Sequence, residues 1–191
     1  SATDEAFTGT LDGNGHTISN LSINRSGTNR GGLVGELGSS GSIQNLTIQN
    51  ASITGNNDVG TAVGTSAGTI RNVTVAGTVS GNDRIGGVVG KVDAGGSVTG
   101  SSAAVNTSGN KAIGGLIGES SGTVNNASAN GTVTATGQYA GGLIGDHQST
   151  TPVTDVNASG AVTGTESTGG LIGRAQANVT DSSASGRVNG T

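Results

Sequence analysis

Cysteine, methionine and tryptophan are absent from these 191 residues, and Phe7, Tyr139 and Pro152 are each the single residue of their type. The missing cysteine excludes a disulfide framework and thiolate metal sites, and leaves the compartment open. With almost no aromatics, a core has to be built from Val, Ile, Leu and Ala. Lysine occurs only as Lys91 and Lys111, and eight basic residues face twelve acidic ones for a net charge of -4. A phosphate-binding surface needs clustered Lys and Arg, so nucleic acid is not an expected partner. The acidic balance suits salty surroundings. No stretch approaches the roughly 18 apolar residues of a membrane helix. No charged-then-apolar leader opens the chain, so any signal peptide is expected to have been removed already.

What is plentiful is glycine, 38 residues of it, set among regularly spaced β-branched residues that a disordered chain would lack. GGLVG stands at 31, GTAVG at 60, GGVVG at 86, and GGLIG at 114, 141 and 169. The steps between them are 29, 26, 28, 27 and 28 residues, and a period in this range marks a repeat architecture. Aligned on the glycines, an aliphatic column follows: Ile43, Ile70, Val98, Val124, Val153 and Val179. Two residues further on stand Asn45, Asn72, Gly100, Asn126, Asp155 and Asp181, and the opening segment fits with Ile18 followed by Asn20. Stacked coils place equivalent residues about 4.8 Å apart, so the asparagines are expected to form a side-chain ladder along the axis.

Beside that column the pattern has period two: Leu21 and Ile23, Leu46 and Ile48, Val73 and Val75, Ser101 and Ala103, Ala127 and Ala129, Val156 and Ala158, Ser182 and Ala184. Alternation means strands with one face inward. A further GxV recurs at Gly77, Gly131, Gly160 and Gly186, giving about three short strands per turn. No segment has helical spacing or caps. The expected fold is therefore all-β: a single parallel β-solenoid over residues 18–191, about six coils of 26–29 residues, with 1–17 as a partial N-terminal cap. Parallel crossovers favour a right-handed β-helix. The first glycine of each pair is expected at a corner with positive φ, the second where stacked backbones approach. Because inward residues shrink from Leu and Ile to Ala and Ser, the solenoid should be narrower and less well packed toward its C-terminal end.

From glycine pair to ladder position the distance alternates, 14, 12, 14, 12, 14 and 12 residues. ELGSSGS and KVDAGGS are long, TSAGT and ESSGT short, and DHQSTTP is the longest. Every other coil should therefore protrude along one edge.

The repeat GGLIGESSGTVNNASANGTV, with its GGLxG start, G-[ST]-[IV]-x-N middle and GxV end, resembles the GLUG motif, over residues 31–191. The segment FTGTLDGNGHTISNLSI looks like the lead-in coil of such regions. The resemblance implies a secreted or surface-anchored β-solenoid of a bacterium or archaeon, of the adhesin kind. Some such proteins carry a peptidase, but HExxH is absent here and no zinc-protease helix is expected.

Other chemistry is sparse. His16 and His147 stand in unrelated coils without metal-ligand partners at suitable spacing. DGNG at 12–15 starts like a calcium loop but lacks the remaining ligands, and reads as a tight turn. Asp58 and Asp83 fall at matching positions in neighbouring coils and are the calcium candidates, with a solvated charge ladder as the default. Polysaccharide-cleaving β-helices need clustered carboxylates, whereas these acids are scattered and Tyr139 is the one sugar-stacking ring; no catalytic residue and no cofactor are expected. Ser22, Thr47, Thr74, Ser102, Ser128, Asn157 and Ser183 make an outward column too mixed for lattice matching.

Eleven N-x-[ST] sequons occur, possible N-glycosylation sites in an exported protein. An Asn column followed by a hydroxyl column writes the tripeptide automatically at Asn20, Asn45, Asn72 and Asn126. The acceptor candidates are then Asn24, Asn50, Asn106, Asn130, Asn157, Asn178 and Asn189. Solenoid ends expose strand edges that natural repeat proteins cover. Phe7 and Leu11 are the candidate assembly segment. The expected partners are another copy of this chain, stacked head to tail, or the remainder of a longer surface protein, with glycans possible. The expected role is a non-enzymatic extracellular structural or adhesive module, a fibre or filament subunit; the alternative is a recognition module, as in a viral tail fibre or a glycan- or host-binding adhesin domain.

Overall fold

A computed structural model describes residues 6–190; residues 1–5, the first part of the expected cap, and Thr191 lie outside the described residues. Among the described residues there is no helix, and the strands form sheets of fourteen, six and four members. Pairing is parallel and runs from each coil to the next, as between Ser42–Thr54 and Thr69–Ser80. The chain is a β-solenoid.

Each coil contributes the same parts. The last residues of GGLxG open a strand of the six-membered sheet, in which Val34, Val63, Val89, Ile117, Ile144 and Ile172 are successive neighbours. The fourteen-membered sheet carries the ladder position and the GxV segment. Its inward stack runs Leu11, Ile43, Ile70, Val98 and Val124, continues through Val153 and ends at Val179. Ile43 through Val153 are completely buried, but Val179 is 40% exposed because no described residue lies over it.

Leu11 heads that stack, so paired structure begins before residue 18. Phe7 bridges to Leu37, Thr10 to Ser42, and Thr17–Ser19 to Thr47–Gln49. The expected alignment of the opening segment is corrected accordingly: Ile18 pairs with Ile48 and Ile23 with Ile53. The cause is the DGNG turn. Asn14 and Gly15 both have positive φ, and Gly13 packs so tightly on Asn45 and Leu46 that a Cβ there would lie 2.6 Å from a carbonyl oxygen. That turn takes up the corner that one asparagine makes in later coils.

The second glycine of the pair stands where stacked backbones approach, as expected, but the first does not sit at positive φ. Both are required by contact. A Cβ on Gly114 would strike the Ile117 carbonyl, and one on Gly115 the Gly142 carbonyl of the next coil. The second glycine also explains the small inward residues. A Cβ on Gly87, Gly115 or Gly142 would lie 2.9 Å from the Cβ of Ala103, Ala129 or Ala158, so small faces small where the two walls come closest. Those alanines stay buried, and Leu116 and Leu143 beside them are at 0% exposure. The coil is thin there and fully packed. Loosening toward the C-terminal end is confined to the last coil, at Val179, Ala184 and Val188.

Loop alternation has a packing basis. One inward column reads Leu37, Ser66, Val92, Ser120, His147 and Ala175. In the short loops Ser66 Oγ donates to the Gly68 carbonyl and Ser120 Oγ accepts from the Gly122 amide. The long loops replace the serine with Leu, Val or His, and their extra residues protrude: Ser39, Ser40, Ala94 and Gly95 are exposed.

Candidate functional site

Two columns of corners run along the solenoid, and both are built, Gly100 apart, from non-glycine residues in the left-handed region. Asn45, Asn72, Asn126, Asp155 and Asp181 have φ between 47° and 53°, and Gly100 in the same column has φ 59°. Asn, Asp and Gly are the residue types that tolerate this conformation, which accounts for the composition of the column. The side-chain ladder is only partial. Asn45 Nδ2 donates to Asp12 at 3.1 Å and Asn72 Nδ2 to Asn45 at 3.2 Å, after which Gly100 interrupts the series. Asp12 also accepts from the Asn14 amide and Gln44, and the Asn14 and Asn45 bonds, in that order, hold its carboxyl below the usual range. Asn20 is not in this column; it faces Asn50, 3.5 Å away.

The other corner column is Arg30, Asp58, Arg84, Ala112, Tyr139 and Ser167, with φ from 48° to 64°. Bulky and charged residues do not choose this conformation by propensity. Packing imposes it: from the second repeat on, the last glycine of the GGLxG segment lies against the corner of the preceding coil. A Cβ on Gly118 would sit 2.5 Å from the Arg84 carbonyl carbon, and one on Gly90 2.8 Å from Asp58 Cα.

Beside this column the outward residues of the six-membered sheet are Glu36, Thr65, Lys91, Glu119, Asp146 and Arg174. The result is a charged edge. Arg30 pairs with Glu36 at 2.5 Å, Lys91 with Asp93 at 2.8 Å, and Arg84 grips Asp58 through Nε at 2.5 Å and Nη2 at 3.2 Å. Asp146, 1% exposed, accepts from Arg174 Nε and Nη2 at 2.7 and 2.5 Å and from Gln148 at 2.9 Å. The Arg174 guanidinium lies 4.3 Å from the Tyr139 ring centre and donates to its hydroxyl. These bonds hold the Arg84 and Arg174 pKa values above the usual range. Glu119 sits half-buried among them; burial raises its carboxyl pKa, against the pull of Arg84 and Lys91.

The calcium candidates are corrected by this register. Val59 bridges Ile85, so Asp58 matches Arg84 rather than Asp83, and its carboxylate is spent on that arginine. Asp83 instead matches Asn57, whose Oδ1 accepts its amide, and receives Asn110 Nδ2 at 3.3 Å. This is an amide ladder the sequence reading missed: Asn56 Nδ2 donates to Asn29, Asn82 Nδ2 to Asn57. Its signal was the Asn recurring shortly before the first four of these glycine segments, at Asn29, Asn56, Asn82 and Asn110. Among the described residues no group of three His, Asp or Glu is placed to hold a metal. His16 is exposed, bonded to the Gly13 carbonyl of its own turn. His147 is buried with Nε2 3.1 Å from the Thr151 carbonyl, and burial lowers its pKa.

Away from the charged edge, the broad sheet presents hydroxyls and amides. Thr47, Thr74, Ser102, Ser128, Asn157 and Ser183 are in register, with Thr17 rather than Ser22 at their head. All seven acceptor candidates, Asn24, Asn50, Asn106, Asn130, Asn157, Asn178 and Asn189, are exposed.

The GLUG motif family matches residues 164–189, the last of the repeats. A halomucin of Haloquadratum walsbyi is 82% identical over 156 residues, which are 82% of this chain and 2% of that protein. The chain thus spans a very small part of the curated relative it matches. No solved structure matches it.

Proposed function

We propose that this GLUG-repeat solenoid, similar to one short stretch of a halomucin, is a non-enzymatic structural module of a longer protein displayed or secreted at a cell surface. One observation carries the reading: the two bidentate arginine–carboxylate pairs of the edge hold coil to coil. Asp58 with Arg84 and Asp146 with Arg174 each join residues 26 and 28 positions apart. They staple successive layers, which is what a rod needs. The likeness to a halomucin of which this length is 2% supports a place within a long array.

Stacking continues at the open face of the last coil, where Val179 and Val188 are 40% and 43% exposed. Another coil, from the same long chain or from a second copy, covers them. A heterologous contact of this kind propagates without closing, giving a filament. The test is sedimentation of this segment in concentrated salt, alone and with Val179→Lys and Val188→Lys. Concentration-dependent end-to-end growth that the substitutions abolish is expected. A monodisperse monomer at high concentration overturns the head-to-tail assembly.

A recognition role draws its support from a groove of about 630 Å³ lined by Phe7, Arg25, Asn29, Arg30 and Glu36. Screening against acidic and neutral glycans separates the two: saturable binding lost in Arg25→Ala favours recognition, and no binding favours the structural role.

A further inference from the structure

A groove of about 280 Å³ opens in the Asn corner column where Gly100 replaces an asparagine. Its walls include Asn72 below the gap and Asn126 and Ser128 above it. Asn126, Ala127 and Ser128 are one of the sequons that the column would write for purely structural reasons. The gap separates it from the others. Asn45 Nδ2 is committed to Asp12 and Asn72 Nδ2 to Asn45, so in those two sequons the nitrogen that would carry a sugar is part of the fold. In a continuous ladder Asn126 would donate to an asparagine at position 100. Glycine has no side-chain carbonyl to accept there, and Asn126 is exposed with no side-chain hydrogen bond. Ser128, the hydroxyl of the same sequon, is half-buried and equally unbonded.

We propose that Asn126 is an N-glycan attachment site, and that the space left by Gly100 seats the first sugar. This rests on the reading of the chain as an exported surface module. The reaction needs a lipid-phosphate-linked oligosaccharide as donor. Asn126 Nδ2 forms a bond to C1 of the reducing-end sugar and loses one proton; the C1–O bond to phosphate breaks, and the lipid phosphate leaves with that electron pair. The sugar attached to Asn126 meets hydroxyls and amides on the groove floor, which suit a hydrated polyol. Asn45 and Asn72 carry no glycan, because substitution of their Nδ2 would remove a ladder hydrogen bond and place a bulky group between stacked layers.

The test is mass spectrometry of intact glycopeptides from the natively exported protein, for the wild type and for Gly100→Asn. Asparagine occupies the equivalent position in neighbouring coils at a similar φ, and a Cβ at 100 would meet the Asn72 side-chain oxygen at 2.4 Å, so that flexible amide has to turn aside; circular dichroism checks that the variant folds. Expected are a glycan on Asn126, unmodified Asn45 and Asn72, and at least a five-fold loss of Asn126 occupancy in Gly100→Asn with Asn130 unchanged. An unmodified Asn126 beside occupied sequons elsewhere overturns this site alone. Eleven bare sequons overturn it together with the surface-glycoprotein reading. A glycan on Asn72 matching that on Asn126, or unchanged occupancy in Gly100→Asn, refutes the role of the gap.

Discussion

Both corner columns bend the chain through the same left-handed conformation, yet they are held there by different means. The Asn column uses residues that accept positive φ themselves, and its strain is small. The charged column puts Arg84, Ala112 and Tyr139 in a region that costs an ordinary residue about 1 to 2 kcal/mol. What compensates is tertiary: a glycine packed underneath, and in three coils an arginine bound to a carboxylate. One column is specified locally, the other by its neighbours in the next layer.

The largest effect should come from removing that support. Gly118→Ala drives a Cβ into the Arg84 carbonyl carbon and the Gly90 carbonyl, both backbone atoms that cannot step aside. Overpacking of this kind costs about 3 kcal/mol, read as a drop in urea stability. A loss under half a kcal/mol would mean the corner is not pinned from below.

Next is Asp146→Ala. It leaves Arg174 and Gln148 without their acceptor, but Arg174 is 39% exposed and can hydrate. The cost is therefore about 1 to 2 kcal/mol, below that of a fully buried pair. It should persist in molar salt, since a carboxylate at 1% exposure is screened little. Disappearance of the cost in high salt would make the pair a surface ornament.

Opposite signs should follow from one pair of substitutions. Asn72→Ala places an ordinary residue at positive φ and breaks the bond to Asn45, losing about 1 kcal/mol. Ala112→Gly relieves the same conformation and gains about 0.5 kcal/mol after the entropy of glycine is counted. Equal signs in thermal melts would erase the distinction between the columns.

The smallest effect belongs to Glu119→Gln. Burial raises the folded carboxyl pKa above its unfolded value, so the favourable contribution is complete below pH 4.5 and is lost as pH rises through the raised value. Removing the charge should stabilise by a few tenths of a kcal/mol at pH 7 and not at all at pH 3. Destabilisation at pH 7 would show that Arg84 and Lys91 outweigh burial.

The contrast also explains what could be read from residues alone. The coil period, the inward stack from Ile43 to Val153 and the Asn corner were legible because each lies in a residue type that recurs in column. The charged corner was not: Arg30, Asp58, Arg84, Ala112, Tyr139 and Ser167 share a conformation but no chemistry. Without that column Asp58 aligned with Asp83 by adjacency, one residue out of register, which made the two aspartates calcium candidates beside the default charge ladder, whereas Asp58 binds an arginine. The lead-in coil misaligned for a similar reason, since DGNG makes the corner of that column, while Asn20, also left-handed at φ 60°, lies opposite Asn50 instead. Of each glycine pair the second has the expected task, close approach of stacked backbones, whereas the first does not, as steric fit to a carbonyl leaves the same signature as positive φ.

Nuclear Overhauser measurements on this chain test the stacked, doubly cornered solenoid most directly. The account predicts cross-strand contacts at separations of 25 to 33 residues, such as Ser42 with Thr69 and Glu119 with Asp146. It also predicts the short intraresidue amide-to-Hα distances of positive φ at Arg84, Ala112 and Tyr139 as well as at Asn45, Asn72 and Asn126. Contacts dominated by hairpin neighbours, or ordinary negative φ throughout the charged column, would contradict it.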